Sequence, residues 1–130
     1  MASIHKELQF TARPADVWAA VRDVGAIHTR LARGFVADTQ LDGDIRTVTF
    51  ANGVVARERI INCDDEAHRL VWSVVGAPFE HHNGSIQVFA DGDNRARLVW
   101  IADLLPNEIA PHIEGMMAQG MAAMQKTLEA

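Results

Sequence analysis

Residues 14–23, reading PADVWAAVRD, constrain the fold most, because they fix the start of a helix directly behind a strand-like segment. Proline suits the first turn of a helix, where its missing N–H leaves no bond unmade. Asp16 adds negative charge to that turn, and Val17, Trp18 and Val21 share one apolar stripe. The preceding residues 3–10 alternate as a strand, with Ile4, Lys6, Leu8 and Phe10 on one face and His5, Glu7 and Gln9 on the other. Lys6 is the one charge in the apolar set. A strand therefore hands over directly to an amphipathic helix.

Beyond it, Gly25 breaks the pattern and AIHTRLA suggests a second short helix, which Gly34 ends. Two helices in a V would then close one end of a sheet. Six further strands are predicted near 35–41, 45–51, 54–63, 69–76, 80–90 and 95–105. The turn sequences Asp42-Gly43, Asn52-Gly53, Asp64-Asp65 and Asp91-Gly92-Asp93 separate them, so the chain reads as hairpin after hairpin in an antiparallel meander. From Asn107 to Ala130 the pattern turns helical, with Ile109, Ile113, Met116, Met117, Met121, Met124 and Leu128 at three- and four-residue spacing. Asn107 is a candidate N-cap, although Pro111 moves the regular start towards itself. Gly115 and Gly120 each cost about 1 kcal/mol of helix propensity, and they leave room for either close strand packing or a cavity wall.

At 130 residues the chain is one domain, and 48% hydrophobic with 22% charged residues describes a soluble globular protein with a proper core. A net charge of −5 without clustered Lys and Arg argues against nucleic acid as a partner. The first residues, MASIHKELQF, carry His, Lys and Glu, so they form neither the apolar part of a signal peptide nor a membrane span; a cytoplasmic location is expected. The single Cys63 has no internal disulfide partner and reads as a half-buried strand residue. No phosphate-binding loop, nucleophile motif or zinc-ligand spacing is present, so no cofactor and no metal are expected.

In a sheet with one buried face, residues i and i+2 share that face. In the last strand Ala96, Leu98, Trp100, Ala102 and Leu104 must point inward, because Arg95, Arg97 and Asp103 hold the other side. In 69–76 the inner set is Leu70, Trp72 and Val74, which carry the larger area. In 54–63 the inner set is Val54, Ala56, Glu58, Ile60 and Asn62, since Arg57 and Arg59 lie opposite. Glu58 thus points into the apolar interior, where it needs a hydrogen-bonded partner. Candidates are a neighbouring strand, Arg30 or Arg33 near the second helix, or a ligand. His81 and His82 face opposite sides of their strand, so they make no metal pair, and we assign His81 to the inner face. Val99 and Ile101, apolar on the outer face between Arg97 and Asp103, mark a candidate homodimer contact.

On PADVWAAVRDVGAIH, on ARERIINCDDEAHRLVWSVVG from Ala56, on NRARLVWIADLLP from Asn94 and on the closing helix, the chain resembles the START-like (SRPBCC) superfamily. Within it, the chain is similar to the small bacterial polyketide cyclase/dehydrase and lipid transport-like proteins. The resemblance implies an α+β helix-grip fold: a seven-stranded curved antiparallel sheet around a long C-terminal helix, with two short helices between strands 1 and 2. Between sheet and helix it implies a cavity for an apolar or amphipathic small molecule, and it supplies no reaction. The stretch from Glu58 to Val74 is more distantly similar to the plant abscisic acid receptors, in which a strand glutamate joins the polar end of the ligand site. That match implies Glu58 as polar anchor with Trp72 and Val74 as wall, but Ala77-Pro78-Phe79 departs from the receptors' gate loop.

The expected ligand contacts are Glu58, Ile60, Asn62, Trp72, Val74, His81, Leu98, Trp100, Met117 and Met121. The methionines suit a tolerant site if they line it, and plain core if they do not. Three functions remain open. The first is a carrier or sensor of a lipid- or polyketide-like molecule. The second is a cyclase or dehydratase using Glu58 and His81 as acid and base. The third is an interaction module with a filled, vestigial cavity.

Overall fold

The computed structural model describes residues 1–129, and in it the handover from strand to helix stands where the proline puts it. Strand β1 (Ala2–Phe10) leads into α1 (Pro14–Arg22), which buries Val17, Trp18, Ala20 and Val21. The second short helix is a single π-helical turn, Ile27–Leu31. Then follow β2 (Val36–Asp42), β3 (Ile45–Phe50), β4 (Val55–Asp64), β5 (Arg69–Val75), β6 (His81–Ala90) and β7 (Ala96–Leu105). The predicted last helix divides into a 3₁₀ turn at Asn107–Ile109 and α2 (Ala110–Leu128). Asn107 makes no side-chain cap, and Pro111 stands in the first turn of α2. Ala130, which the sequence pattern assigned to this helix, lies outside the described residues.

All strand pairs are antiparallel, in the order β1-β7-β6-β5-β4-β3-β2. The meander β2 to β7 is thus extended by β1, which returns beside β7. At the β3–β4 turn, Gly53 takes a φ of +91°, which a side chain would strain, and Asn52 Oδ1 accepts from the Val54 N–H at 3.0 Å. At the opposite end of the sheet, α1 is tied to the β4–β5 turn. There Trp18 Nε1 donates to Asp65 Oδ1 at 3.0 Å, Arg22 Nε donates to the same oxygen at 2.7 Å, and the His68 ring stacks on Trp18 at 5.3 Å. The hydrogen bond from Arg22 and then that from Trp18 hold the Asp65 carboxyl below the usual carboxylate range.

The face assignments hold on β7, where Ala96, Leu98, Ala102 and Leu104 are almost completely buried, and on β5, where Leu70 and Trp72 are. On β4 they hold only to Ile60. A β-bulge between Ile60 and Asn62 inserts one residue, so Asn62 pairs with Val71 of the outer face and is exposed. Cys63 is exposed as well, contrary to the half-buried expectation, and partial desolvation together with Asp65 pushes its thiol pKa up, away from a reactive thiolate. The outer-face contact shrinks too, because Val99 is already buried within the protomer, only 8% exposed.

Helix α2 buries Ile113, Met117, Gly120, Met121 and Met124. A Cβ on Gly120 would come within 2.9 Å of Trp100 Cζ3 and 3.2 Å of Phe35 Cε2, so this glycine serves close packing. Gly115, with nothing near it, does not. α2 lies chiefly along β1 and the π-turn, which leaves the inner faces of β3, β4 and β5 looking onto open space. The buried core is accordingly divided. One cluster centres on Phe10, Val17, Val48, Trp72 and Leu98, the other on Ile4, Ala102, Leu104, Ile113 and Met117, and Trp100 packs against both. No helix among the described residues is long and apolar enough to cross a membrane.

Candidate ligand-binding cavity

The space between the sheet and α2 is a cavity of about 480 Å³. Its floor is the inner face of β3 to β7, with Val48, Leu70, Trp72, Val74, Ile86 and Trp100. Its roof is α2 through Ile113, Met116, Met117 and Met124, and Leu31 and Phe35 close one side. Around the mouth stand Val54, Val55, Val75, Phe79 and His112, of which Val54, Val55 and Val75 are 46%, 57% and 40% exposed. A wall this apolar suits a molecule that leaves water for hydrocarbon surroundings.

Two buried charges interrupt it. Glu58 projects from β4 and Arg46 from the facing position of β3, with their side chains 11% and 4% exposed. Arg46 donates from Nε to Glu58 Oε1 at 2.9 Å, and its second terminal nitrogen lies 2.7 Å from the same oxygen. The guanidinium also sits over the Trp72 ring, 5.4 Å from its centroid, and donates to the Val24 carbonyl at 3.4 Å. The partner of Glu58 is therefore on the neighbouring strand, and neither Arg30 nor Arg33 supplies it. Because both close contacts fall on Oε1, Oε2 keeps its lone pairs for something else. Gly84 of β6 makes room for the Trp72 ring: a Cβ there would stand 2.4 Å from Trp72 Cε2.

The third polar group is a histidine from β6. His82 lines the cavity and His81 does not, so the sequence assignment was one residue out. The alternation that settles it was present in the sequence, since Gly84, Ile86 and Val88 are the buried set of β6 and His82 shares their parity. Phe79 packs against the His82 ring at 4.5 Å, edge to face. Burial, and secondarily His81, lower the pKa of His82 from 6.5 to about 4, so the ring is neutral at physiological pH. Its Nδ1 is buried without a hydrogen-bond partner.

Of the other expected contacts, Glu58, Trp72, Val74, Trp100 and Met117 line the cavity. Leu98 and Met121 do not, being packed into the larger core cluster, and Ile60 packs against that cluster. Asn62 is turned out by the bulge. Arg46 was missed, although it shares the alternation of Val48 and Phe50 and an inner-face carboxylate called for a cation. His28 stays outside the cavity, with Nε2 4.0 Å from Asp38 Oδ1. Among the described residues, no three His, Cys, Asp or Glu side chains converge to hold a metal ion.

A family profile described as polyketide cyclase / dehydrase and lipid transport matches residues 1–130. No curated protein matches the chain. Among solved structures, XoxI from Bacillus cereus is 20% identical with a TM-score of 0.87, covering 98% of this chain and 96% of that one. A START superfamily protein from Mycobacterium smegmatis is 12% identical with a TM-score of 0.74, covering 98% and 94%. Norcoclaurine synthase from Thalictrum flavum is 21% identical with a TM-score of 0.74, covering 96% and 91%. At such identities the structures speak for the fold alone. The helix-grip fold, the sheet-to-helix cavity and the profile spanning every residue lead to one assignment: the chain belongs to the polyketide cyclase/dehydrase and lipid transport family.

Proposed function

We propose that the chain binds an apolar or amphipathic small molecule, lipid- or polyketide-like, as a cytoplasmic carrier or sensor. The observation that carries this reading is a hollow of about 480 Å³ that methionine and tryptophan leave unfilled, walled by hydrocarbon and holding one clamped carboxylate. Its volume lies within the range of about 300–1,000 Å³ usual for ligand sites. Glu58 is the polar anchor: Arg46 fixes the carboxylate through Oε1, and Oε2 accepts a hydrogen bond from a ligand hydroxyl. Trp72, Val74, Trp100 and Met117 form the wall that such a molecule would touch.

The cyclase or dehydratase reading required Glu58 and His81 as an acid–base pair within hydrogen-bond reach. His81 is not a cavity residue, and Glu58 is engaged by Arg46, so that pair is not assembled. The vestigial-cavity reading required a filled core. Native mass spectrometry of the purified protein is the test, with uptake of lauric acid and of 1-naphthol followed by quenching of tryptophan emission. A retained small molecule or saturable uptake supports binding. A chain that arrives empty and takes up neither compound refutes it. A homodimer through Ile101 and the little of Val99 left exposed would offer a narrow contact, and sedimentation over a concentration series tests it.

A further inference from the structure

Four residues form one row across the cavity floor. Arg46 pairs with Glu58, and Glu58 with Val74. The β5–β6 ladder ends at Ser73 and Asn83, so His82 stands one step past the last rung, opposite Val74. With strands about 4.8 Å apart, the backbones of Glu58 and His82 are about 10 Å apart, separated by one apolar residue. The row thus carries a polar group at each end of a hydrocarbon stretch.

The two ends differ in sign. Glu58 Oε2 is an acceptor. The His82 ring is neutral and carries one proton, and its Nδ1 is buried with no partner. An orphaned buried N–H is rarer than an under-satisfied acceptor, which puts the proton on Nε2 and leaves Nδ1 as the bare lone pair. His82 is then a hydrogen-bond donor on the cavity wall, held in place by the edge-to-face contact with Phe79. That donor is not among the buried atoms left without a partner, so water reaches it in the empty cavity and a ligand carbonyl can take that water's place.

We propose that His82 is the second polar contact of the cavity, so that the site selects an elongated apolar molecule bearing a hydroxyl for Glu58 and, about one ring and a short spacer away, a carbonyl for His82. This rests on the binding function proposed above. Three matched probes separate the contacts: 4-hydroxychalcone carries hydroxyl and carbonyl, chalcone the carbonyl alone, and 4-hydroxystilbene the hydroxyl alone. Their affinities are read by calorimetry on the wild type, His82→Phe, His82→Gln and Glu58→Gln, with thermal unfolding to confirm that each variant is folded. Loss of one neutral hydrogen bond is a change of about fivefold.

His82→Phe should therefore weaken 4-hydroxychalcone and chalcone about fivefold and leave 4-hydroxystilbene unchanged, while His82→Gln, which keeps an N–H donor, restores part of the loss. Glu58→Gln should show the opposite selectivity, weakening only the two hydroxyl-bearing probes. An equal effect of His82→Phe on all three probes, or none, overturns the role of His82 and leaves the cavity reading standing. Failure of the wild type to bind any of the three, while lauric acid or 1-naphthol is taken up, overturns the two-contact site alone; failure with all five compounds overturns both.

Discussion

The Arg46–Glu58 pair allows a double-mutant cycle whose outcome follows from its burial. Both side chains are nearly enclosed, and the two contacts at 2.9 and 2.7 Å fall on a single carboxylate oxygen. Removing one partner strands the other in an apolar wall, which typically costs about 3–5 kcal/mol, whereas replacing both with apolar residues of similar size is often neutral or stabilising. Arg46→Met should be the more damaging single change. It leaves Glu58 without its cation, while Glu58→Leu leaves Arg46 the Trp72 ring at 5.4 Å and the Val24 carbonyl at 3.4 Å. For a chain of 130 residues the unfolding entropy is about 0.27 kcal/mol per kelvin near 60 °C, so a loss of about 3–5 kcal/mol lowers Tm by about 11–18 °C. The double variant should unfold within about 1 kcal/mol of the wild type. Urea titration followed by tryptophan emission measures all four proteins, and equal m-values license the comparison. Additive single effects, with no recovery in the double variant, would show that the pair is not coupled as its geometry requires.

Gly84→Ala would place a methyl group 2.4 Å from Trp72 Cε2, about 1 Å inside ordinary contact, so overpacking of about 1–3 kcal/mol should lower Tm by about 4–11 °C and shift the tryptophan emission; an unchanged Tm would contradict the floor described for the cavity. His82 carries a pKa lowered from 6.5 to about 4, so below pH 6.5 the unfolded chain binds a proton that the folded chain does not. Stability attributable to this residue is therefore full above pH 6.5 and lost as pH falls towards 4, and His82→Gln should flatten that part of the Tm-against-pH curve. Identical curves for the two proteins would count against a buried neutral ring. Asn62→Ala, on the outer side of the bulge, should leave probe affinity unchanged, whereas Val74→Phe, on the floor between Glu58 and His82, should abolish it without large loss of Tm; calorimetry distinguishes the two.

Local rules decided most of the architecture. Pro14 sets the start of α1, Asn52-Gly53 makes the β3–β4 turn, and alternation assigns the buried face of β5 and β7, because each depends on residues near one another in the chain. The same alternation pointed Glu58 inward and, applied to Gly84, Ile86 and Val88, would have chosen His82 over His81. Three features came only from the tertiary structure. Arg46 became the partner of Glu58 through strand pairing: alternation puts each on the inner face of its own strand, but only the register across the hairpin sets them opposite each other. The bulge after Ile60 turned Asn62 outward, since one inserted residue reverses every face beyond it. The hollow itself arose because α2 leans on β1 and the π-turn, a placement set by where Gly120 admits Trp100 and Phe35. Spacing along a chain determines which side chains share a face, but whether two faces meet or stand apart depends on how distant elements fit against each other.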